Sequence, residues 1–235
     1  FNFPASDSTG RFVKAALAGK SSTVSAAQAD WNARIRAVSP ASVDAPFVSN
    51  HDMARARGML RSKVPNEKAA ALLYLLMPGV PTVYYGEELG MSGSGSDENK
   101  RLPMVWSSDA ATQCKAPAAA DQAQRLTDGV AEQDSDPDSL LNWYRQLIAL
   151  RNLAPELTRG EMTALDGGND AICAYTVTDA GSTVAIISNV SQKDTLTVSL
   201  DVLRGAKLLG GIGGAAFADG TANLPPLSGI IVRLP

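Results

Sequence analysis

Three polar residues follow a short apolar run at Phe47-Val-Ser-Asn-His-Asp52, and they include the only histidine of the 235 residues. An imidazole beside a carboxylate could hydrogen-bond a polyhydroxylated ligand, bind a metal ion or transfer a proton. With one histidine and no cysteine nearby, zinc bound through nitrogen and sulfur is disfavoured. The alternative is structural, because Asp52 could simply cap a following helix.

The elements around this motif predict how it is positioned. Residues 1 to about 155 alternate strand-like and helix-like segments, which favours βα units with parallel pairing. The run before His51 predicts one strand, and Val80–Gly86 predicts a second strand buried on both faces. Catalytic groups in such folds cluster where the strands end, so we expect Asp52 and His51 at that edge.

Two helices are predicted from apolar periodicity. The first spans Pro65–Met77, with proline in its first turn. The second begins at Asp136-Pro-Asp138, with Asp136 as the cap, and runs to about Leu153. Its core-facing residues are expected to be Leu140, Leu141, Tyr144, Leu147 and Ile148.

The sequence changes character after about residue 155. Short runs rich in Val, Ile, Thr and Leu alternate with Gly, Asn and Asp, which predicts an antiparallel β domain. These runs are Ile172–Val177, Thr183–Ser188, Thr195–Leu200, Lys207–Ile212 and Ile230–Leu234. The predicted domains are therefore residues 1–155 and 156–235.

Composition excludes some functions and locations. A formal charge of -3 without a basic stripe disfavours a nucleic-acid partner. No apolar run approaches the roughly 20 residues that cross a bilayer, so no membrane association is expected. Cys114 and Cys173 have neither metal-site nor disulfide-framework spacing and are predicted to be unpaired thiols. The sequence starts without methionine, in a strand-like segment, and is expected to be internal to something longer.

Several motifs in order resemble the α-amylase family of retaining glycoside hydrolases. Phe47–Asp52, with Arg55 three residues later, looks like that family's strand-seven motif, and Pro78–Met91 is similar to its strand-eight segment. Three further segments resemble the following loop motif, the eighth barrel helix and the last strand of the C-terminal sandwich: Arg101–Trp106, Asp138–Arg151 and Leu224–Val232.

The resemblance implies an α/β fold that comprises the C-terminal portion, strands 6–8, of a (β/α)8 TIM barrel, followed by an antiparallel β-sandwich. Phe1–Pro4 would be strand six. The family's nucleophile and acid/base come from strands four and five, so this chain alone is expected to be inactive. We expect its partner to be the N-terminal part of the barrel, possibly as a separate chain, with this sequence being half of a split enzyme or a truncated form.

The resemblance also implies site roles. Asp52 would be the catalytic carboxylate that grips sugar hydroxyls at the cleavage subsite, and His51 would hydrogen-bond the same sugar, in a glucose-sized hollow. Arg101 could bind an acceptor-side sugar, although a structural bridge for its loop is equally consistent. Arg55 is expected to be a buried ion-pair partner.

Structural roles are expected for several other residues. Tyr84 and Tyr85 are expected to pack within the barrel, and Glu87 to hold the loop after strand eight by hydrogen bonds. Asp97-Glu-Asn99 offers oxygen ligands of the kind calcium prefers, but an exposed acidic loop is the commoner explanation. We assign no metal ligand in this chain, and the Ca²⁺ that the family implies would be bound elsewhere. Among the tryptophans, Trp106 is the one worth testing for sugar stacking.

The function implied is retaining hydrolysis of α-1,4-glucosidic bonds in starch or maltodextrins. An oligosaccharide α-glucosidase or glucosyltransferase of the same family is an alternative, and so is a non-catalytic glucan-binding or scaffold relative. A polymer-degrading enzyme is expected to be secreted, because starch does not cross membranes, whereas a maltodextrin-processing enzyme could be cytoplasmic.

Overall fold

A computed structural model describes residues 1–109, 111 and 113–235. Its α-helices are α1 Arg11–Ala18, α2 Val24–Val38, α3 Ala56–Met59, α4 Val64–Leu76, α5 Asp97–Lys100, α6 Val130–Ser135, α7 Leu140–Asn152 and α8 Glu156–Arg159. The strands are β1 Glu161–Leu165, β2 Ile172–Asp179, β3 Ser182–Asn189, β4 Leu196–Ser199, β5 Lys207–Ile212, β6 Ala216–Ala218, β7 Thr221–Leu224 and β8 Ser228–Arg233. Within these described ranges, every helix falls short of the length and apolarity that crossing a membrane requires.

Two extended segments lie side by side in the first half of the chain. The N–H of Val80 donates to the carbonyl of Asp44 (2.8 Å), and the N–H of Thr82 donates to the carbonyl of Pro46 (2.9 Å). Donor and acceptor positions both advance by two residues in the same direction, which is a parallel register. The predicted neighbours are therefore adjacent and parallel.

These segments are not regular strands, however. In the described part of the chain no strand precedes Glu161, so the strands predicted at Phe1–Pro4, before His51 and at Val80–Gly86 are wrong as regular β-structure. In a parallel ladder the residue that donates to Asp44 would also accept from the N–H of residue 46. Pro46 has no N–H, so this return bond is missing.

In place of the first predicted strand, only residue 2 pairs with a neighbouring segment. The N–H of Asn2 donates to the carbonyl of Ala45 (3.1 Å), which places residue 2 beside the extended segment at residues 44–48, here called the central segment. Phe3–Ala5 then forms a 3₁₀ turn with Pro4 near its start, where proline is well tolerated.

Helix α4 confirms the prediction for Pro65–Met77, with both ends one residue earlier. It is buried on nearly all sides, because α1, α7 and β3 all pack against it. The single apolar face that the periodicity indicates is therefore only part of its buried surface.

Helix α7 is confirmed, but its start and one core residue differ from the prediction. Ser139 is the N-cap, and its Oγ accepts from the N–H of Asn142 (3.1 Å). Asp136 instead ends α6, and its carboxylate accepts from the N–H of Asp138 (2.9 Å). Ile148 is 42% exposed and does not join the core, whereas the other four predicted core residues are buried.

The second half is antiparallel, as predicted. One sheet has the order β1-β2-β3-β8-β5 and the other has the order β4-β7-β6. Side chains from both sheets form one apolar cluster, which includes Ile172, Ala185 and Ile187 from the larger sheet and Val198 and Leu224 from the smaller. Strands β1, β6 and β7 were not predicted, because each spans only three to five residues.

The other face of the larger sheet packs on the helices. The hydroxyl of Tyr175 on β2 donates to the carbonyl of Leu76 at the end of α4 (2.8 Å). A single core cluster continues from α1, α4 and α7 into β2 and β3. The division at residues 155 and 156 stays a prediction. Cys114 is exposed and Cys173 is buried, and both thiols are free, as predicted.

Candidate active site

His51 and Asp52 lie in a surface turn that follows the central extended segment. The N–H of Asp52 donates to Oδ1 of Asn50 (2.8 Å), which is the side-chain-to-backbone bond of an Asx turn. The imidazole Nε2 lies 3.3 Å from Asp52 Oδ1, and the two side chains are 61% and 67% exposed. The turn therefore presents both groups to solvent.

Two cations from α5 and its end meet this turn. Arg101 Nη2 lies 3.6 Å from Asp52 Oδ1 and 3.3 Å from Asp97 Oδ2. Lys100 Nζ donates to the carbonyl of Asp52 (3.0 Å) and to Asp97 Oδ1 (3.1 Å). The Lys100 hydrogen bond, followed by the charges of Arg101 and Lys100, lowers the pKa of Asp97. We call His51, Asp52, Asp97, Lys100 and Arg101 the surface charge cluster.

The surface charge cluster brings together the three residues predicted for the site, His51, Asp52 and Arg101. Their catalytic and binding roles stay predictions. A cleft of about 960 Å³ lies between residues 89–94 and 121–128, and neither His51 nor Asp52 lines it. The glucose-sized hollow expected at these two residues stays a prediction. In this chain the imidazole and carboxylate stand on open surface.

Glu87 lies buried beneath the turn. Its Oε2 accepts from the hydroxyl of Ser49 (2.8 Å), and its Oε1 accepts from the hydroxyls of Tyr74 (2.8 Å) and Tyr144 (2.9 Å). Burial is the largest effect and raises the pKa of Glu87 to about 7, although the three hydroxyl donors oppose it. The prediction that Glu87 holds the loop after the second extended segment by hydrogen bonds is confirmed.

Arg55 is buried, as predicted, but not as an ion pair. Its Nη1 donates to the carbonyl of Tyr85 (2.6 Å), and its guanidinium carbon lies 4.8 Å and 4.5 Å from the ring centroids of Tyr84 and Tyr85. No carboxylate of the described residues lies within ion-pair distance of Arg55, so cation–π contacts and carbonyls replace the expected partner. Burial lowers the pKa of Arg55.

The two tyrosines also differ from the prediction of interior packing. Their rings contact each other edge to face at 4.8 Å, and Tyr85 is 39% exposed. Tyr84 is half-buried, and burial raises its pKa to about 12. Both rings serve as the surface on which Arg55 stacks.

Asp97–Asn99, expected as an exposed acidic loop, instead begins helix α5, and the side chains of Asp97 and Asn99 are engaged in protein contacts. Asp97 is paired with two cations, and the amide of Asn99 donates to Asp121 Oδ1 (2.6 Å) and accepts from two backbone N–H groups. Across the described ranges, no three His, Cys, Asp or Glu side chains are grouped as a metal site requires.

The three tryptophans differ in their surroundings. Trp31 donates its indole N–H to Asp44 Oδ1 (2.9 Å), and Trp143 donates its own to the carbonyl of Lys68 (3.0 Å). Trp106 is 52% exposed, so its ring is available for stacking.

Sequence reasoning missed the partners of Glu87. Ser49, Tyr74 and Tyr144 come from three distant parts of the chain. A single hydroxyl in a buried segment does not produce a repeating pattern from which its partner could be predicted. The one available clue was Ser49, a polar residue just before Asn50, His51 and Asp52.

Parallel extended segments flanked by helices, followed by antiparallel sheets, define a partial α/β barrel with a sheet domain. The family profile described as "Alpha amylase, catalytic domain" matches residues 1–160, well over half of the sequence. The chain belongs to the α-amylase family.

Individual relatives agree with this assignment. Alpha-amylase 3 of Dictyoglomus thermophilum is 28% identical over 195 residues, which cover 82% of this chain and 39% of that protein. A trehalose synthase of Thermus thermophilus is 33% identical over 133 residues, or 51% of this chain and 14% of that protein. The solved structure of Eubacterium rectale Amy13B superposes with a TM-score of 0.90 at 32% identity, over 100% of this chain and 48% of that one. The chain thus spans about half or less of the length of these relatives.

Proposed function

We propose that this chain is the C-terminal part of an α-amylase-like glycoside hydrolase that cleaves α-1,4-glucosidic bonds of starch or maltodextrins with retention. It would hold the extended segments that correspond to barrel strands six to eight, although they do not form regular strands in this chain, and the terminal β-sandwich. The observation that carries the proposal is the clustering of His51, Asp52 and Arg101 directly after a segment that pairs in parallel with residues 80–82.

In this proposal Asp52 grips sugar hydroxyls and stabilises the distorted, oxocarbenium-like ring more than the relaxed substrate. The Asp52 carboxylate is exposed and lies between an imidazole and a guanidinium, so its oxygens can accept from hydroxyls while the two neighbours donate. His51 would bind the same sugar, and Arg101 would bind the acceptor side.

A retaining hydrolase also needs a nucleophile and an acid/base about 5 to 5.5 Å apart. We assign neither to this chain, and we propose that an upstream half of the barrel supplies both, in the same polypeptide or as a separate chain. Apolar surface supports this partner: Phe1 is 75% exposed, Phe3 is 56% exposed and Val80 is 53% exposed. Such side chains at the edge of a sheet-like layer favour a covering partner.

The decisive experiment uses the complete enzyme, by which we mean this chain together with that upstream half. We expect Asp52→Asn to lower kcat on maltodextrin by about a hundredfold or more, because the charge that stabilises the transition state is lost. Asp97→Asn is the matched control, since it changes an exposed carboxylate of the same cluster, and it should keep most of the activity. Near-normal turnover of Asp52→Asn would refute the role.

The trehalose synthase relative favours a second candidate, glucosyl transfer or oligosaccharide α-glucosidase activity. Product analysis separates the reactions: starch hydrolysis gives maltooligosaccharides, whereas transfer gives new linkages from maltose. A non-catalytic glucan-binding protein is the remaining alternative, and the polar trio Asn50-His-Asp52 argues against it.

The proposal also covers the location and the calcium requirement of the complete enzyme. We propose that a starch-degrading enzyme is secreted, and finding where the mature protein is located tests this. We also propose that any calcium is bound outside this chain, so that loss of activity after chelation should not depend on Asp97.

A further inference from the structure

The turn at residues 50–53 is attached at both ends to one short segment, residues 84–87. Before the turn, the hydroxyl of Ser49 donates to Glu87 (2.8 Å). After the turn, Arg55 donates to the carbonyl of Tyr85 (2.6 Å) and stacks on two tyrosine rings. Ser49 and Arg55 are only 2% and 1% exposed, in contrast to the residues between them.

Between these attachments the turn is held mainly by its own bonds. The N–H groups of Asp52 and Met53 donate to the side chain and the carbonyl of Asn50, at 2.8 Å and 3.4 Å. The contacts that the described structure gives from elsewhere to Asp52 come from the surface charge cluster: Lys100, whose side chain is 13% exposed, donates to the Asp52 carbonyl, and the half-exposed His51 and Arg101 lie beside the carboxylate. Exposed ion pairs hold geometry weakly, so the buried attachments at the two ends of the turn, together with Lys100, determine where the Asp52 carboxylate stands.

Glu87 is itself fixed from two helices. Tyr74 of α4 and Tyr144 of α7 both donate to Oε1, which leaves Oε2 for Ser49. The other charged groups that act on this region are Glu88 next in sequence and the guanidinium of Arg55. The carboxylate thus connects the helical layer to the turn.

We propose that Ser49, Glu87 and Arg55 are positioning residues that form a clamp on the turn carrying Asp52. None of them reaches the surface, so they act through Asp52 and not on the sugar. This inference rests on the proposed function, because the clamp can change the turnover rate only if Asp52 acts in turnover. A carboxylate displaced by about 1 Å from its productive position can cost about a hundredfold in rate.

Ser49→Ala in the complete enzyme tests the clamp, because it removes one hydroxyl and leaves Glu87 with both tyrosines. Ser21→Ala is the matched control: Ser21 is 1% exposed, and its hydroxyl donates to the carbonyl of Ala171 (3.0 Å), far from the turn. We expect Ser49→Ala to lower kcat about tenfold or more with a smaller change in KM. Ser21→Ala should lower the melting temperature similarly and leave kcat within about twofold of the parent.

Equal kcat values for the two serine variants would overturn the proposal. If Ser49→Ala does not fold, Arg55→Lys replaces it as the test, because lysine keeps the charge but loses the planar stacking group. A folded Arg55→Lys variant with unchanged kcat would also overturn the clamp. Failure of the proposed function has a different signature, namely that Asp52→Asn itself retains turnover.

Discussion

Replacing Glu87 by glutamine should change how stability depends on pH. The pKa of a glutamic acid is 4.5 when it is exposed, as in the unfolded chain, and burial raises the pKa of Glu87 to about 7 in the folded protein. Between these values the folded state keeps a proton that the unfolded state has released. The free energy of unfolding therefore falls as pH rises through this window.

The size of the effect follows from the width of the window. One pKa unit corresponds to about 1.36 kcal/mol, so the rise in the pKa of Glu87 from 4.5 to about 7 gives about 3 kcal/mol. This contribution is fully present below about pH 4.5 and is lost by about pH 7. Glutamine has nearly the same shape and does not titrate, so Glu87→Gln should lack it.

Urea titrations of the parent and of Glu87→Gln, followed by tryptophan fluorescence from about pH 5 to about pH 8, measure the difference. Glu67 and Glu88 also have raised pKa values from burial, but they are common to both proteins and cancel. We expect the parent to lose stability relative to the variant as pH rises. Parallel curves across this range would show that Glu87 is ionised throughout and that the reasoning is wrong.

Three further outcomes are expected. Leu147→Ala should destabilise by about 2–5 kcal/mol in urea titrations, because Leu147 is fully buried, whereas Ile148→Ala should cost less than about 1 kcal/mol. A thiol reagent should modify exposed Cys114 in the folded protein but Cys173 only after unfolding, because burial raises the pKa of Cys173 to about 12. Arg101→Ala should raise KM for maltooligosaccharides severalfold with little change in melting temperature, since its ion pairs are half-exposed; an unchanged KM would favour the structural-bridge interpretation.

The sequence predicted helices better than strands, for a physical reason. Apolar repeats located α4 and α7, because helix burial follows a fixed period. The N-cap of α7 was misplaced because Asp136 uses its carboxylate in a local turn and leaves the capping to Ser139. The parallel neighbours were predicted correctly as neighbours, but Pro46 removes a donor that regular pairing needs.

The candidate site was partly predictable. Motif resemblance identified His51, Asp52 and Arg101, and the structure places them together. What lies beneath them was not predictable, because the bond from Ser49 to Glu87 spans 38 positions and the one from Tyr144 spans 57. Single hydroxyls at such separations leave no pattern that one sequence can reveal.

Arg151 on α7 contacts several layers of the molecule at once. Its Nη1 donates to the carbonyls of Leu75 and Met77, and its Nη2 donates to those of Gly79 and Leu157. One rigid, forked cation thereby takes the place of solvent at the buried end of α4 and at the entry to the sheets. Arg151 consequently ties α8 to the end of α4 through four carbonyls at once, which makes this arginine a poor position for the exchange to lysine that surface arginines tolerate.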